Sequence, residues 1–355
     1  MTLRVIIYRL GVIPLLLLLC ILAACSQQDL DLEEQGMVSL KVLASPGTKA
    51  GEGGTATATL PAKETDIFDL SIFIFNSNGD VIGFTSKDFS DGKPTAVVVK
   101  TRKATGCSVY AIANAKTLNK NGTSPFDGVS TLSVFKTKYL SFTDAKAPND
   151  DQCLLMMGVS SNFDTSSASS ATITLKRLAS RIDYTIAVNN DQTTGFPIVV
   201  DSYQLCNVPT WTFYQQSDFT NPSMPSSTTF ANFEKVSTSI SSVAAPTSAG
   251  TYYVYANANT DPDPNSSKGT YLDIWAHSEV QGAGTKYTVW KSNFRVNMPG
   301  NHVLPNYHYK IDIVINGSAK GKDGGVITTY NAYPYFSGSN LNPWGTNENR
   351  DLDLQ

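Results

Sequence analysis

The stretch Ile67-Phe68-Asp69-Leu70-Ser71-Ile72-Phe73-Ile74-Phe75 is the most strand-like segment of the sequence, and it decides the fold class. Its β-branched and aromatic residues favour extended backbone over helix. The turn sequence Asn76-Ser77-Asn78-Gly79 follows directly, and residues 81–84 then supply a second extended run. This pattern predicts a β-hairpin.

Strand-like runs continue on both sides of this hairpin, and they make the predicted architecture mainly β. Upstream, Val38-Ser39-Leu40-Lys41-Val42 alternates apolar and polar residues, which predicts a half-buried strand. Helical periodicity is weak, with one short candidate helix around residues 129–135, and the polar stretches 215–246 and 257–268 are predicted loops. Downstream strands are predicted at residues 95–100, 107–113, 154–159, 171–175, 181–188, 198–206, 211–214, 251–256, 271–277, 286–296, 307–315 and 326–330.

The length of the chain and the order of its strands indicate two domains. Residues 26–355 number 330, which exceeds what one hydrophobic core usually serves. The strand pattern restarts after Lys176-Arg177-Leu178, and the endings Ala113-Asn114-Ala115 and Ala256-Asn257-Ala258 echo each other. Two related β-sandwiches with a boundary near residue 178 are therefore predicted, with a chance similarity of the two endings as the alternative.

The N-terminal segment has the layout of a lipoprotein signal peptide. Two arginines give it a basic start, and the fifteen residues 10–24 carry no charge. The segment ends in Leu22-Ala23-Ala24-Cys25, which predicts removal of residues 1–24 and acylation of Cys25. One alternative is a transmembrane helix, but that needs roughly 20 apolar residues, and Pro14 interrupts the run. The other is an ordinary signal peptide in which Cys25 has no role.

The chain beyond the leader is mildly acidic, so it has no electrostatic attraction for nucleic acid. Its 25 basic and 30 acidic residues give a net charge of −5. Residues 25–36 contain four acidic side chains and are predicted to form a flexible tether beyond the lipid. Residues 45–54 contain four glycines and a proline, which predicts an exposed, mobile loop.

Three cysteines remain beyond the predicted anchor, namely Cys107, Cys153 and Cys206. They are widely spaced, and an odd number cannot pair completely within one chain. We therefore predict no disulfide framework, and expect small buried thiols instead.

No arrangement of residue types in the sequence points to catalysis, a metal or a cofactor. His277, His302 and His308 lack metal-ligand spacing, so each is expected to be structural. Gly282-Ala283-Gly284-Thr285 lacks the lysine and the helix of a phosphate loop, which favours a hairpin turn. Asp261-Pro262-Asp263-Pro264-Asn265 offers oxygens to calcium but lacks a closing glutamate. The predicted protein is therefore not an enzyme.

Several segments, in a shared order, resemble the fimbrillin family, the lipoprotein pilins of Bacteroidales that build type V pili. The most specific are Asp201-Ser202-Tyr203-Gln204-Leu205-Cys206-Asn207-Val208-Pro209 and Asn306-Tyr307-His308-Tyr309-Lys310-Ile311-Asp312-Ile313. The family commonly has Arg-Asn at the start of the second motif, whereas here Pro305 precedes Asn306. The other matching segments are the box ending at Cys25 and residues 68–79, 109–115 and 175–182.

The resemblance implies two tandem transthyretin-like, Greek-key β-sandwiches after the signal peptide, at residues 37–178 and 179–355, the second with a C-terminal tail. It implies a structural subunit (stalk, tip or accessory) of a cell-surface type V pilus that serves adhesion. In such pilins the lipid holds a precursor in the outer membrane, a protease removes the first strand, and a neighbouring subunit's strand fills the groove. The implied partners are other pilin subunits, outer-membrane lipid and a host or bacterial surface receptor, with no nucleic acid, cofactor or metal.

Within this scheme, the removable strand is assigned to residues 37–43, with Val38, Leu40 and Val42 as its inward side chains. Lys49 is the predicted cleavage site, because it is the one basic residue of the glycine-rich loop. The alternative is a solvated loop lysine in a subunit that is never trimmed. The predicted donor strand lies near the C-terminus, with Val326, Thr328 and Tyr330 in alternation.

Two other classes of protein are compatible with a lipid anchor and tandem sandwiches. One is a surface glycan-binding lipoprotein of a nutrient-uptake system, which would bind a defined polysaccharide saturably. The other is a lipid-anchored hydrolase, which requires acids or a nucleophile gathered in one cleft.

Overall fold

The fold is mainly β, as predicted, and the helices within the part of the chain that the structure describes are all short. The computed structural model describes residues 35–44, 61–94, 96–142, 148, 152–167, 170–190, 197–241, 247–261, 263, 266–282, 285–316 and 326–336. Its helices are two 3₁₀ turns at Ala62–Glu64 and Pro299–Asn301 and two α-helices, α1 at Ala115–Leu118 and α2 at Leu132–Lys136. Within these ranges, no helix combines the length and apolar character needed to cross a bilayer.

Nineteen strands account for most of the described chain. The first ten are β1 Gln35–Ala44, β2 Asp69–Phe75, β3 Val81–Asp88, β4 Val97–Arg102, β5 Cys107–Ala113, β6 Tyr139–Ser141, β7 Met156–Phe163, β8 Ser170–Arg177, β9 Ala179–Asn189 and β10 Ile198–Cys206. The others are β11 Val208–Pro209, β12 Trp211–Phe213, β13 Phe230–Ala231, β14 Val236–Ile240, β15 Thr247–Tyr255, β16 Tyr271–Gly282, β17 Thr285–Asn297, β18 Tyr307–Asn316 and β19 Val326–Phe336.

The predicted strands are all present, but the loop prediction for residues 215–246 was wrong in part. Strands β13 and β14 lie inside that stretch. Their sequences are short and polar, and β14 is mostly exposed, so neither shows the apolar alternation that indicates a strand. Of the predicted hairpin turn at 282–285, the two ends are described, and Gly282 pairs with Thr285 at the end of β16 and β17, while residues 283–284 lie outside the described ranges.

The first seven long strands form one closed ring in the order β1-β4-β3-β2-β5-β7-β8. The ring has two faces, because pairing is short at two corners. Strands β3 and β4 share the single pair Gly83–Thr101, and β7 and β8 share two pairs. One face is therefore the sheet β8-β1-β4, with β1 at its centre, and the other is the sheet β3-β2-β5-β7. We call this unit the first lobe.

Strand β2 is buried on both sides, which explains its continuous apolar sequence. Leu70, Ile72 and Ile74 point into the ring. Phe73 and Phe75 point the other way, into an apolar cluster that α2 covers with Phe135. The stretch that predicts the fold class from sequence is thus the central strand of its sheet.

Gly158 lies at the corner between β7 and β8. The two strands come so close there that a side chain would collide with β8. A Cβ atom at this position would lie 2.6 Å from both Ile173 Cγ2 and the carbonyl oxygen of Thr174. Glycine at a tight bend allows two backbones to approach closely. The close approach of β7 and β8 at this corner therefore leaves no room for a side chain at position 158.

We expect Gly158→Ala to lower the free energy of unfolding by about 1–3 kcal/mol, because the added methyl group forces the corner apart. Gly269→Ala is the matched control, since its Cβ would meet its nearest neighbours at 3.6 Å, an ordinary contact. Urea denaturation of both variants measures the difference. Equal midpoints would contradict the role of Gly158 at the corner.

The second lobe is a two-sheet sandwich that repeats the strand order of the first. Its sheets are β14-β10-β16-β17 and β15-β9-β18-β19, packed around one apolar core. Its first strand, β9, pairs antiparallel with β15 and parallel with β18. Likewise, β1 pairs antiparallel with β4 and parallel with β8. Strand β19 has no counterpart in the first lobe, so it is an addition at the sheet edge.

The echo between Ala113-Asn114-Ala115 and Ala256-Asn257-Ala258 does not follow this repeat. The first ending lies after β5 and the second after β15, whereas the strand order makes β15 the equivalent of β4. Both asparagines are fully buried and donate side-chain hydrogen bonds to backbone carbonyls. The similarity therefore reflects a shared local way of ending a strand.

The two lobes are in close contact along a broad junction. Only Leu178 separates β8 from β9. Strand β6 from the first lobe pairs with β12 from the second, and an apolar cluster includes Phe75 of the first lobe and Tyr255 of the second. The division into domains at residue 178 stays a prediction.

The three cysteines are buried thiols that form no disulfide with one another, as predicted. Burial raises the pKa of Cys206 to about 11, and it raises the pKa of Cys107 as well. Both thiols are consequently protonated at neutral pH and poor nucleophiles.

Candidate functional site: the seam closed by the first strand

The first strand fills a seam in the first lobe, between β4 and β8. Its first half pairs antiparallel with β4, in a ladder that includes Val38–Val99 and Leu40–Val97. Its second half pairs parallel with β8, from Ser39 to Ala44. The ladders overlap only at Ser39 and Leu40, so β1 crosses from one neighbour to the other. Strand β1 therefore joins β4 to β8 within the closed ring.

The side chains of β1 alternate between the core and the solvent, as its sequence predicts. Val38 and Leu40 are fully buried in the apolar interior of the first lobe. Met37, by contrast, is 69% exposed, and Lys41 also faces solvent. The strand therefore inserts a short apolar row into the lobe.

The walls of the seam are apolar and are contributed by distant parts of the chain. Val97 and Val99 of β4 form one wall, and Ile173 and Leu175 of β8 form the other, all less than 4% exposed. Without β1, these side chains would face water, and both flanking strands would have unpaired N–H and C=O groups. A free apolar groove with two open edges is an unstable arrangement that favours the addition of a strand.

A polar cluster, which we call the Glu64 clamp, holds the segment that leads into β2. Glu64 is 6% exposed in the 3₁₀ turn before that strand. One of its carboxylate oxygens accepts hydrogen bonds from Arg181 Nη1 at 3.1 Å and from the Tyr253 hydroxyl at 2.8 Å. Its backbone carbonyl accepts a hydrogen bond from Arg177 Nε at 2.7 Å. The clamp therefore ties the start of β2 to the second lobe independently of β1.

Asp183 extends the clamp on the side of the second lobe. Its carboxylate accepts hydrogen bonds from Arg181 at 3.1 Å and from the Thr251 hydroxyl at 2.6 Å, and it lies 2.6 Å from His308 Nε2. Burial acts to raise the pKa of Asp183, but the hydrogen bonds from His308, Arg181 and Thr251 hold that pKa well below its usual range. Asp183 is therefore ionised, and it balances the charge of Arg181.

The predicted site residues fall partly within the described ranges. Cys25 and Lys49 lie outside them. Val42 pairs through its backbone with Ile173.

The predicted donor segment is strand β19, an edge strand paired with β18. A register shift leaves Thr328 between the pairs Ile315–Ile327 and Val314–Thr329. Such a shift of register is a β-bulge in the backbone pairing of the two strands.

The sequence alone did not identify the walls of the seam or the Glu64 clamp. Strands β4 and β8 were predicted as strands, but nothing in their sequences indicates that they flank β1. Glu64 and Tyr253 are 189 positions apart. In addition, Glu64 lies between two predicted strands, and nothing in the sequence around it indicates that its side chain is buried.

The histidines have separate local partners. His277 Nδ1 lies 2.7 Å from Asp201, His302 Nδ1 lies 2.9 Å from the carbonyl oxygen of Gly300, and His308 belongs to the clamp. Among the described residues, no three His, Cys, Asp or Glu side chains are grouped closely enough to hold a metal ion.

Comparison with known families identifies the unit built around β1. The family model of the major fimbrial subunit protein (FimA) matches residues 37–198. The match begins inside β1 and runs through the first lobe to the start of β10. Residues 37–198, somewhat less than half of the chain, are thus similar to the major fimbrial subunit family. Fimbrial subunits are structural components of cell-surface pili, which confirms the prediction that this chain is not an enzyme.

Solved structures share the fold of this chain at low sequence identity. A candidate cell adhesion protein from Parabacteroides distasonis is 18% identical, with a TM-score of 0.59, over 84% of this chain and 96% of that one. A candidate cell adhesion protein from Bacteroides eggerthii is 16% identical, with a TM-score of 0.58, over 85% and 96%. A fimbrial assembly protein from Parabacteroides distasonis is 17% identical, with a TM-score of 0.51, over 84% and 96%. No curated protein matches the sequence.

Proposed function

We propose that this fimbrial subunit polymerises by strand exchange at the β1 seam, after its lipidated precursor has been trimmed. Cys25 anchors the precursor to the outer membrane, and cleavage after Lys49 releases β1. A strand from a neighbouring subunit then fills the groove between β4 and β8, and the resulting pilus serves adhesion. The observation that carries this proposal is that β1 lies in the ring between β4 and β8 and buries Val38 and Leu40 there.

The contacts of β1 support its exchange for another strand. It offers the groove two inward apolar side chains, Val38 and Leu40, and two backbone ladders. Any extended segment with the same alternation makes the same backbone hydrogen bonds. None of the hydrogen bonds of the Glu64 clamp involves β1, so the trimmed lobe keeps this attachment to the second lobe.

Strand β19 is the candidate donor, because it lies outside the strand order that the two lobes share. Its departure from the edge of β18 leaves the second lobe with the same strand set as the first. An edge strand also has one ladder to lose, whereas a central strand has two. Transfer of β19 to a neighbour therefore disrupts its own subunit less than transfer of any inner strand.

N-terminal sequencing of the subunit recovered from assembled pili tests the proposal. We expect the wild-type chain to begin at Ala50 and to give ladders of high molecular weight on unboiled gels. Lys49→Ala should retain Cys25 and lose the ladders, because β1 stays in its seam. Lys41→Ala, which removes an exposed lysine within β1, is the matched control and should behave as wild type.

A second variant separates donation from acceptance. Deletion of residues 326–355 removes β19, so we expect a trimmed subunit that accepts a strand but no longer extends a polymer. Assembled pili whose subunits still begin at Cys25, or ladders unaffected by the deletion, would contradict the mechanism.

A further inference from the structure

A ribbon of two short strands at the junction of the lobes presents three aromatic side chains on one face. In the β6–β12 ladder, Tyr139 pairs with Phe213 and Trp211 pairs with Ser141. Leu140 and Thr212 point inward and are 2% exposed. Alternation along a strand therefore places Tyr139, Trp211 and Phe213 together on the opposite face. Tyr139 is 44% exposed and stacks on Trp211 with ring centroids 4.6 Å apart and an angle of 15°.

A polar cleft of about 260 Å³ lies against this ribbon. Tyr139, Tyr214, Asn119 and Asn121 line it, and all of its lining residues are uncharged. Asn119 holds the loop in place, because its side chain donates to the carbonyl of Thr123 and accepts from the backbone N–H of Asn121. Asn121 itself is exposed, so its amide is available to a ligand.

The two lysines near the cleft donate their side-chain hydrogen bonds to backbone carbonyls outside it. Lys120 Nζ donates to the carbonyl oxygen of Phe142 at 2.6 Å. Lys138 Nζ donates to the carbonyl oxygen of Asp127 at 3.3 Å. A ligand in this cleft therefore meets a half-exposed aromatic ring, amide groups and no formal charge.

From this geometry we infer that the cleft beside Tyr139 binds a neutral pyranose sugar. The C–H groups on one face of a sugar ring carry partial positive charge, and the face of an aromatic ring carries partial negative charge. Amide side chains both donate to and accept from hydroxyl groups. The cleft is slightly smaller than the 300–1,000 Å³ typical of pockets for drug-sized ligands, so it suits a single terminal sugar.

This site is separate from the β1 seam, so it stands whether or not strand exchange occurs. It gives an assembled subunit a means of contacting glycans on another surface. The aromatic stack is held by a ladder between the lobes, and both strands of that ladder are required to form it. The site therefore exists only when the two lobes are joined as described.

Titration of the full-length protein with neutral methyl glycosides tests this inference. The probes are methyl glucoside, methyl galactoside, methyl mannoside and methyl N-acetylglucosaminide. Binding of each glycoside is measured by saturation-transfer NMR and by tryptophan fluorescence. We expect at least one to bind with a millimolar dissociation constant that does not change with salt. Tyr139→Ala should weaken binding about tenfold, which corresponds to the loss of one stacked ring. Tyr139→Phe should retain binding.

Phe84→Ala is the matched control, since Phe84 is 45% exposed on another sheet and its loss should leave binding unchanged. Asn121→Ala alters only an exposed loop side chain, so it tests the cleft even if Tyr139→Ala fails to fold. Three results would overturn the inference: no binding of any neutral glycoside, equal losses for Tyr139→Ala and Phe84→Ala, or salt-dependent binding of glucuronate alone.

Discussion

Leu40→Asp is expected to open the first lobe by expelling β1 from its seam. Leu40 is fully buried among the apolar side chains of the ring. Truncating a buried leucine costs about 2–5 kcal/mol, and a carboxylate in its place adds the cost of an unpaired buried charge. We therefore expect the free energy of unfolding to fall by at least about 4 kcal/mol, a large part of a typical domain's stability.

Hydrogen exchange shows which strands lose amide protection in the Leu40→Asp variant. In Leu40→Asp, protection should be lost along β4 and β8, whose ladders to β1 are broken, and retained along β9 and β18 in the second lobe. Met37→Asp is the matched control, because it places the same charge on the same strand at a side chain that is 69% exposed. That control should change stability by less than about 0.5 kcal/mol. Equal effects at the two positions would contradict the inserted placement of β1.

Loss of the Glu64 carboxylate is expected to loosen the attachment between the lobes. Glu64→Ala removes the group that accepts from both Arg181 and the Tyr253 hydroxyl. Removing one partner of a buried ion pair typically costs about 3–5 kcal/mol. Because Arg181 keeps its contact with Asp183, we expect a value near 3 kcal/mol, the lower end of that range. Glu64→Gln, which keeps the hydrogen-bond acceptor but not the charge, should fall between wild type and Glu64→Ala.

Asp88→Ala provides the comparison for the Glu64 variants. Asp88 pairs with Lys116 at 2.5 Å, but this pair lies at the surface, where solvent screens the attraction. Its loss should leave the urea midpoint almost unchanged. If Asp88→Ala and Glu64→Ala shifted that midpoint equally, the clamp would have no special role in joining the lobes.

The location and type of most elements follow from local patterns in the sequence. Residues 107–113 and 198–206 were predicted with the bounds that the structure shows, because apolar alternation is a local property of a strand. The same apolar alternation predicted that the side chains of Val38 and Leu40 point inward. The buried, unbridged state of the three thiols also followed from their number and spacing.

Which strands are neighbours, by contrast, depends on tertiary packing and is not specified by local sequence. Strand β1 lies between β4 and β8, where Val38 meets Val99 and Ser39 meets Ser170. Such pairs are far apart in sequence, and one half-buried strand resembles another, so no local pattern specifies them. The Glu64 clamp and the aromatic ribbon of β6 and β12 arise for the same reason. Each is assembled from side chains that only the packing of two lobes brings together.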